Sequence, residues 1–209
     1  MKTSISFLKS NASRIDTIKK ISETDANYIH VDIMDGKFVP NQTLSIEETN
    51  ELLMNSSKLL DVHLMVENPI EYIEGLKNLN IHYLTIHIEI EKDIEFLLNK
   101  IHEYGIRAGL AINPETDISK LNPYLDRIDY ILIMGVNPGL GGQELIKSTI
   151  DKIEDLRRLR ETYNYHYVIS FDGGVNFNTR SLLNNLDIIV SGSYVCMSDN
   201  YQNTINTLK

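Results

Sequence analysis

The sequence predicts an α/β protein folded as a closed (β/α)8 barrel of the TIM type, one compact domain over residues 1–209. Three observations point there. Short apolar strand patterns alternate with helical patterns eight times along the chain. No long linker or low-complexity segment interrupts them. Polar residues able to titrate or to ligate recur at strand ends, where such barrels place their sites. At 209 residues the chain is short beside the typical barrel of about 250. A doubly wound open sheet is the main rival, but eight parallel units close more naturally than they stay open.

Each unit has its own pattern. Thr3–Leu8 alternates, with Ser4 and Ser6 on one face and Ile5 and Phe7 on the other. Ser13–Ser22 carries Ile15, Ile18 and Ile21 at helical spacing. Tyr28–Met34 is the second strand, running into a turn region with Gly36 and Pro40, and Ile46–Met54 is a short helix. Leu59–Val66 is a strand, after which Asn68-Pro69 opens a helix at a position where proline's missing N–H costs little. Tyr83–Ile88 reads as a strand and Ile94, Leu97, Leu98 and Ile101 mark an amphipathic helix. Arg107–Ile112 is a strand followed by a short helix through Leu121 and Leu125. After strand Tyr130–Met134 comes the longest helix, with Ile146, Ile150, Ile153 and Leu156 on one side. Tyr167–Phe171, a brief helix Thr179–Asn184, strand Ile188–Val190 and a final helix in Asp199–Lys209 complete the set.

Composition narrows the function. With 29 acidic against 20 basic residues and a net charge of −9, the composition argues against a nucleic-acid binder, which needs a basic face. An anionic small substrate stays open, because backbone N–H groups can hold phosphate in an acidic protein. The lone Cys196 allows no internal disulfide and suits a reducing compartment. No membrane span or signal peptide is expected, and the expected location is cytoplasmic.

The candidate chemistry starts on the second strand. His30, Asp32 and Met34 share one face there, opposite Ile29, Val31 and Ile33. An imidazole and a carboxylate on one buried face cost stability without a cation or hydrogen bonds to meet them. His63 ends the third strand, on a face shared with Asp61 and Met65, and Asp172 directly follows the seventh. His30, Asp32, His63 and Asp172 thus converge on the barrel axis, a suitable ligand set for one divalent cation with coordination left open for substrate oxygens. Zinc, iron, manganese and cobalt all suit it. Glycine marks the neighbouring loops: Gly139, Gly141 and Gly142 after the sixth strand, Gly173 and Gly174 after the seventh, Gly192 with Ser193 after the eighth. Three such loops at one face favour a phosphate cradle, and Gly139–Gly142 is long enough to act as a lid.

Five motifs carry a resemblance. Val31-Asp32-Ile33-Met34-Asp35-Gly36-Lys37-Phe38-Val39-Pro40-Asn41 resembles the signature of the ribulose-phosphate 3-epimerase family. Asp61-Val62-His63-Leu64-Met65-Val66, Met134-Gly135-Val136-Asn137-Pro138-Gly139-Leu140-Gly141-Gly142-Gln143, Phe171-Asp172-Gly173-Gly174-Val175 and Ser191-Gly192-Ser193 resemble the others, in order over nearly the whole chain. The resemblance implies interconversion of D-ribulose 5-phosphate and D-xylulose 5-phosphate through an ene-diolate, with Asp32 and Asp172 as the opposed acid/base pair. It implies metal ligation by His30, Asp32, His63 and Asp172. Ser6, His63 and Asp172 would contact substrate, and Gly139, Leu140, Gly141, Gly142, Gly173, Gly174, Gly192 and Ser193 would hold its phosphate end. Met34, Met65 and Met134 would line the reacting carbon, as polarizable bulk without competing protons.

The chain departs from the family at Ile5, where proline is usual, at Gly135, usually threonine, and at Leu140, usually phenylalanine. The last two put lid closure and substrate affinity in question. His87 and Glu89 stay outside the ligand set, and His82, His102 and His166 read as surface or loop residues. Cys196 reads as a packed thiol. Alternatives are a 3-epimerase of a hexulose 6-phosphate such as D-allulose 6-phosphate, or a non-catalytic phosphate-binding barrel. A homo-oligomer is expected.

Overall fold

In the computed structural model, which describes residues 1–209, eight parallel strands close into a barrel in chain order, each beside the next and the last beside the first. They are β1 (Lys2–Ser6), β2 (Tyr28–Met34), β3 (Leu59–Met65), β4 (Ile81–His87), β5 (Arg107–Ile112), β6 (Tyr130–Met134), β7 (Val168–Asp172) and β8 (Ile188–Ser191). Around them run α1 (Arg14–Ser22), α2 (Ile46–Leu53), α3 (Pro69–Leu76), α4 (Ile94–Glu103), α5 (Asp151–Tyr163), α6 (Phe177–Arg180), α7 (Ser193–Cys196) and α8 (Tyr201–Asn206).

Alternation along the strands sorts the apolar residues into two cores. Outward residues such as Ile29, Val31, Ile33, Leu60, Val62 and Leu64 meet the helices in the large core. Inward residues form a smaller cluster that includes Tyr28, Tyr83, Tyr130, Leu132 and Val190 and fills the barrel. The Tyr83 and Tyr130 rings stack with centroids 4.4 Å apart. Gly109 on β5 makes room beside them, since a Cβ there would come within 2.6 Å of Thr85 and 3.0 Å of Tyr130. The barrel is a packed interior, so any site must form at its mouth.

Local signals set the helix starts. Ser13 caps α1, Asp93 caps α4, and Ser45 with Glu48 closes a capping box on α2. Where the structure departs from expectation, local chemistry explains it. The segment after β5 is a 3-10 helix, Ile118–Tyr124, with Pro123 inside it and Asp117 as its N-cap. The longest helix begins at Asp151, after a short 3-10 turn, so Ile146 and Ile150 lead into it rather than belong to it. The brief helix after β7 runs Phe177–Arg180, started by the Asn176 side chain, instead of Thr179–Asn184. Asp172 is the last residue of β7 itself. The short helix α7 was not expected; its Cys196 is buried, with the thiol donating to the Ser6 carbonyl at 3.3 Å and pushed up to about 12 by burial.

Candidate active site

Two side chains of β2, one of β3 and one of β7 meet at the barrel mouth. His30, Asp32, His63 and Asp172 each offer a ligand atom within 4.8 Å of all the others. Both histidines are fully buried, Asp32 nearly so, and the Asp172 side chain is 19% exposed toward the cavity.

Each group is aimed by a neighbour. The Asp61 carboxylate, from the same face of β3 as His63, accepts from Ser4 Oγ at 2.7 Å and Tyr130 OH at 3.2 Å and pairs with His30 Nδ1 at 2.8 Å. This turns His30 Nε2 toward Asp32 Oδ1 at 3.3 Å and Asp172 Oδ2 at 3.9 Å. Buried there, His30 Nε2 has no hydrogen-bond partner. Ser6 Oγ donates to the other Asp32 oxygen at 2.6 Å. His63 Nδ1 lies 3.4 Å from Asp32, and its Nε2 meets His87 Nε2 at 2.8 Å. His87 Nδ1 in turn pairs with Glu89 at 3.0 Å, and Glu89 accepts from the Asn113 amide and the Thr116 hydroxyl.

The proton inventory of that chain is constrained. Glu89 is a carboxylate, held below its usual range because those hydrogen bonds outweigh burial. His87 therefore donates through Nδ1 and accepts through Nε2, so His63 donates through Nε2 and keeps its Nδ1 lone pair toward Asp32. Burial lowers both rings, His87 to about 4, so neither carries charge at neutral pH. A donor set of two imidazole nitrogens and two carboxylates, one imidazole with an orphaned buried nitrogen, fits a divalent cation.

The two aspartates are pushed in opposite directions. Burial raises both, but at Asp32 the charge of the His30 imidazole 3.3 Å away wins and the carboxyl is held far below its usual range. At Asp172 burial and the Asp32 charge together raise it to about 7. His30, desolvated but facing Asp32 and Asp61, is raised well above its ordinary value. Near neutrality one carboxyl is thus ionised and its neighbour is in mid-titration.

Above this cluster opens a cavity of about 450 Å³, walled by Ser6, Asp32, Met65, Met134 and Asp172 and by the loops after β6, β7 and β8. Gly139, Leu140, Gly141, Gly142, Gly173, Gly174, Gly192 and Ser193 all lie on its wall. The backbone amides of Gly174, Gly192 and Ser193 donate to no protein group. Gly174 has φ +70, and a Cβ there would come within 2.6 Å of Leu145, so only glycine fits this turn. Met34 packs with Met65 and Val39, beside Leu8 and Phe38, off the cavity wall.

A model of the ribulose-phosphate 3-epimerase family matches residues 2–196. The chain belongs to that family. Ribulose-phosphate 3-epimerase of Treponema pallidum (strain Nichols) is 35% identical over 191 residues, covering 90% of this chain and 88% of that protein. The protein of the same name from Synechocystis sp. is 36% identical over 205 residues, covering 96% and 89%. Among solved structures, KGPDC from Streptococcus mutans superposes with a TM-score of 0.69 at 13% identity, over 99% of this chain and 94% of that one. Phosphoribosyl anthranilate isomerase from Thermococcus kodakaraensis gives 0.66 at 14%, over 99% and 96%. At such identities these two speak to the fold alone. The chain is an enzyme of the ribulose-phosphate 3-epimerase family, and a phosphorylated sugar substrate is consistent with it.

The epimerase motifs include residues whose work is structural. Asp35, in the first signature, accepts from the amides of Lys37, Phe38 and Glu67 and so ties two mouth loops together. Asn41 Nδ2 donates to the Gly139 carbonyl at 2.6 Å and Gln143 to those of Asn137 and Leu140, which seats the loop after β6. Gly135 has no room for a side chain, because a Cβ would come within 2.3 Å of the Phe171 ring. Leu140 stands 63% exposed at the loop tip.

Sequence reasoning left out Asp61, His87 and Glu89. Strand parity was the available signal for the first two, and it places Asp61 and His87 on the same inner face as His63. Glu89 lies beyond β4, where parity no longer applies. Of the remaining histidines, His166 is exposed, His102 pairs with Asp129 on the outside, and His82 stacks on Tyr28.

Proposed function

We propose that the chain interconverts D-ribulose 5-phosphate and D-xylulose 5-phosphate by inverting carbon 3, with Asp32 and Asp172 as the two proton-transfer groups. What supports this reading is the opposed protonation of two neighbouring carboxyls from β2 and β7, one ionised and the other near neutral pH in its titration. Inversion needs a base on one face of the carbon and an acid on the other. Asp32, ionised and steadied by Ser6, takes the proton that lies beside the ketone. Asp172 delivers a proton to the opposite face of the resulting ene-diolate. After one turnover the two carboxyls have exchanged protonation states, and the reverse reaction or exchange with solvent through the open side of Asp172 resets them.

His30, Asp32, His63 and Asp172 would hold a divalent metal, zinc, iron, manganese or cobalt. When bound it supplies Lewis-acid stabilisation of the charge that develops next to the ketone. Asp61 would orient His30 toward it and the His87–Glu89 pair would orient His63. Met65 and Met134 border the reacting carbon without offering a competing proton. The free amides of Gly174, Gly192 and Ser193, with the Gly139–Gly142 loop, hold the phosphate end.

Metal-replete protein incubated with D-ribulose 5-phosphate in deuterated water should incorporate deuterium at carbon 3 and form D-xylulose 5-phosphate, read by NMR. Protein that leaves carbon 3 unlabelled would overturn the assignment. D-allulose 6-phosphate in the same assay reports the length of ketose preferred.

A further inference from the structure

The cavity is electrostatically unusual for one that would receive a phosphate dianion. It carries Asp32 and Asp172, lies in a protein of net charge −9, and has a single basic residue on its wall, Lys9. Lys9 comes from the loop after β1 and lines the same cavity as the free amides. Its stem runs along the two glycines of the loop after β6: a Cβ on Gly141 would be 3.4 Å from Lys9 Cδ, and one on Gly142 would be 3.0 Å from Nζ. The ammonium group therefore lies against the backbone of Gly142.

That group makes one hydrogen bond within the protein, to the Gly141 carbonyl at 2.9 Å. Its partner is neutral, so the charge is not cancelled by an ion pair, and an ammonium with three donors keeps two for another acceptor. Backbone amides recognise phosphate by hydrogen bonding but offset little of its charge. An ammonium supplies the charge they lack.

We propose that Lys9 is the residue through which this enzyme reads the charge of its substrate, reaching the phosphate across Gly141 and Gly142 and drawing the loop after β6 over it. This rests on the sugar-phosphate reading above. Lys9 is a specificity-determining residue: it binds the end of the substrate remote from carbon 3 and takes no part in proton transfer. Because the same ammonium holds the Gly141 carbonyl, phosphate binding and loop position are linked through one side chain.

The test compares wild type, Lys9→Met and Lys9→Arg, all metal-replete. Inorganic phosphate is titrated calorimetrically, and KM and kcat are measured for D-ribulose 5-phosphate. Lys9→Met should raise the phosphate Kd and the KM on the order of 10- to 100-fold, the range of one charge-assisted contact, with kcat moving less than KM. Lys9→Arg should recover most of the affinity. Added salt should weaken phosphate binding more steeply in wild type than in Lys9→Met. If Lys9→Met binds phosphate as wild type does, the proposal is wrong. It also falls if the variant loses unphosphorylated D-ribulose, titrated in parallel, by the same factor, because Lys9 then only braces the loop. Wild type that fails to turn over the sugar phosphate would defeat the epimerase reading alone, and the phosphate titration would still decide Lys9.

Discussion

Asp32 and Asp172 are chemically identical side chains made unlike by their neighbours. His30 and His63 face Asp32, while Asp172 faces Asp32's charge from a desolvated position. Asp32→Asn and Asp172→Asn should each cut kcat by about 10²–10⁴-fold, the usual weight of a general acid or base, with the circular dichroism spectrum unchanged. The same asymmetry predicts a pH effect on stability in metal-free protein. Asp172 is raised from 3.8 to about 7 on folding, so its contribution is fully present below the unfolded value and is lost as pH rises through the folded one. Asp172→Asn should therefore be more stable than wild type at pH 8, by about 2–4 kcal/mol, and show no such gain at pH 4, as read by urea unfolding. His87, lowered to about 4, acts in the opposite sense and cancels between the two proteins. Glu89→Gln removes the acceptor that fixes the His87 and His63 tautomers. Its affinity for cobalt(II), measured by chelator competition, should fall about 10- to 100-fold.

The strands and loops show why some of this was readable in the chain and some was not. A strand of period two sends His30 and Asp32 inward together, and the same rule brings in His63 and Asp172 once the strands are recognised. Helices were less legible at their ends. The segment Ile118–Tyr124 is a 3-10 helix, and the lead-in through Ile146 and Ile150 keeps helical spacing with 3-10 rather than α-helical hydrogen bonds. Loop chemistry is the most local of all. Gly174 can be seen as glycine in the sequence, but the reason, Leu145 at 2.6 Å from a would-be Cβ, lies 29 positions away in the chain. Gly174→Ala adds both strain at φ +70 and that collision. It should cost about 1–3 kcal/mol in chemical denaturation and weaken phosphate binding in calorimetry.

Closure of the barrel joins strands distant in sequence into one cooperative unit, so a cation bridging β2, β3 and β7 should stabilise all of it. At a hundred times its Kd, manganese or zinc should add about 2.7 kcal/mol to unfolding. The gain should grow from pH 6 to pH 8, because binding must displace protons from Asp172 and His30, both raised in the metal-free protein. Thermal melts across that range with and without metal check it; a gain that shrinks with pH would contradict the assignment of those two ligands. The alternating pattern of strands and helices was enough to specify the barrel, and strand parity with the glycine loops was enough to nominate His30, Asp32, His63, Asp172 and the phosphate end, since these follow from periodicity and from residue type. How those groups are tuned could come only from the closed barrel. Asp61 beneath His30, His87 behind His63, and Lys9 over Gly141 are contacts between segments far apart in the chain, and pKa values and tautomers depend on such distances rather than on sequence order.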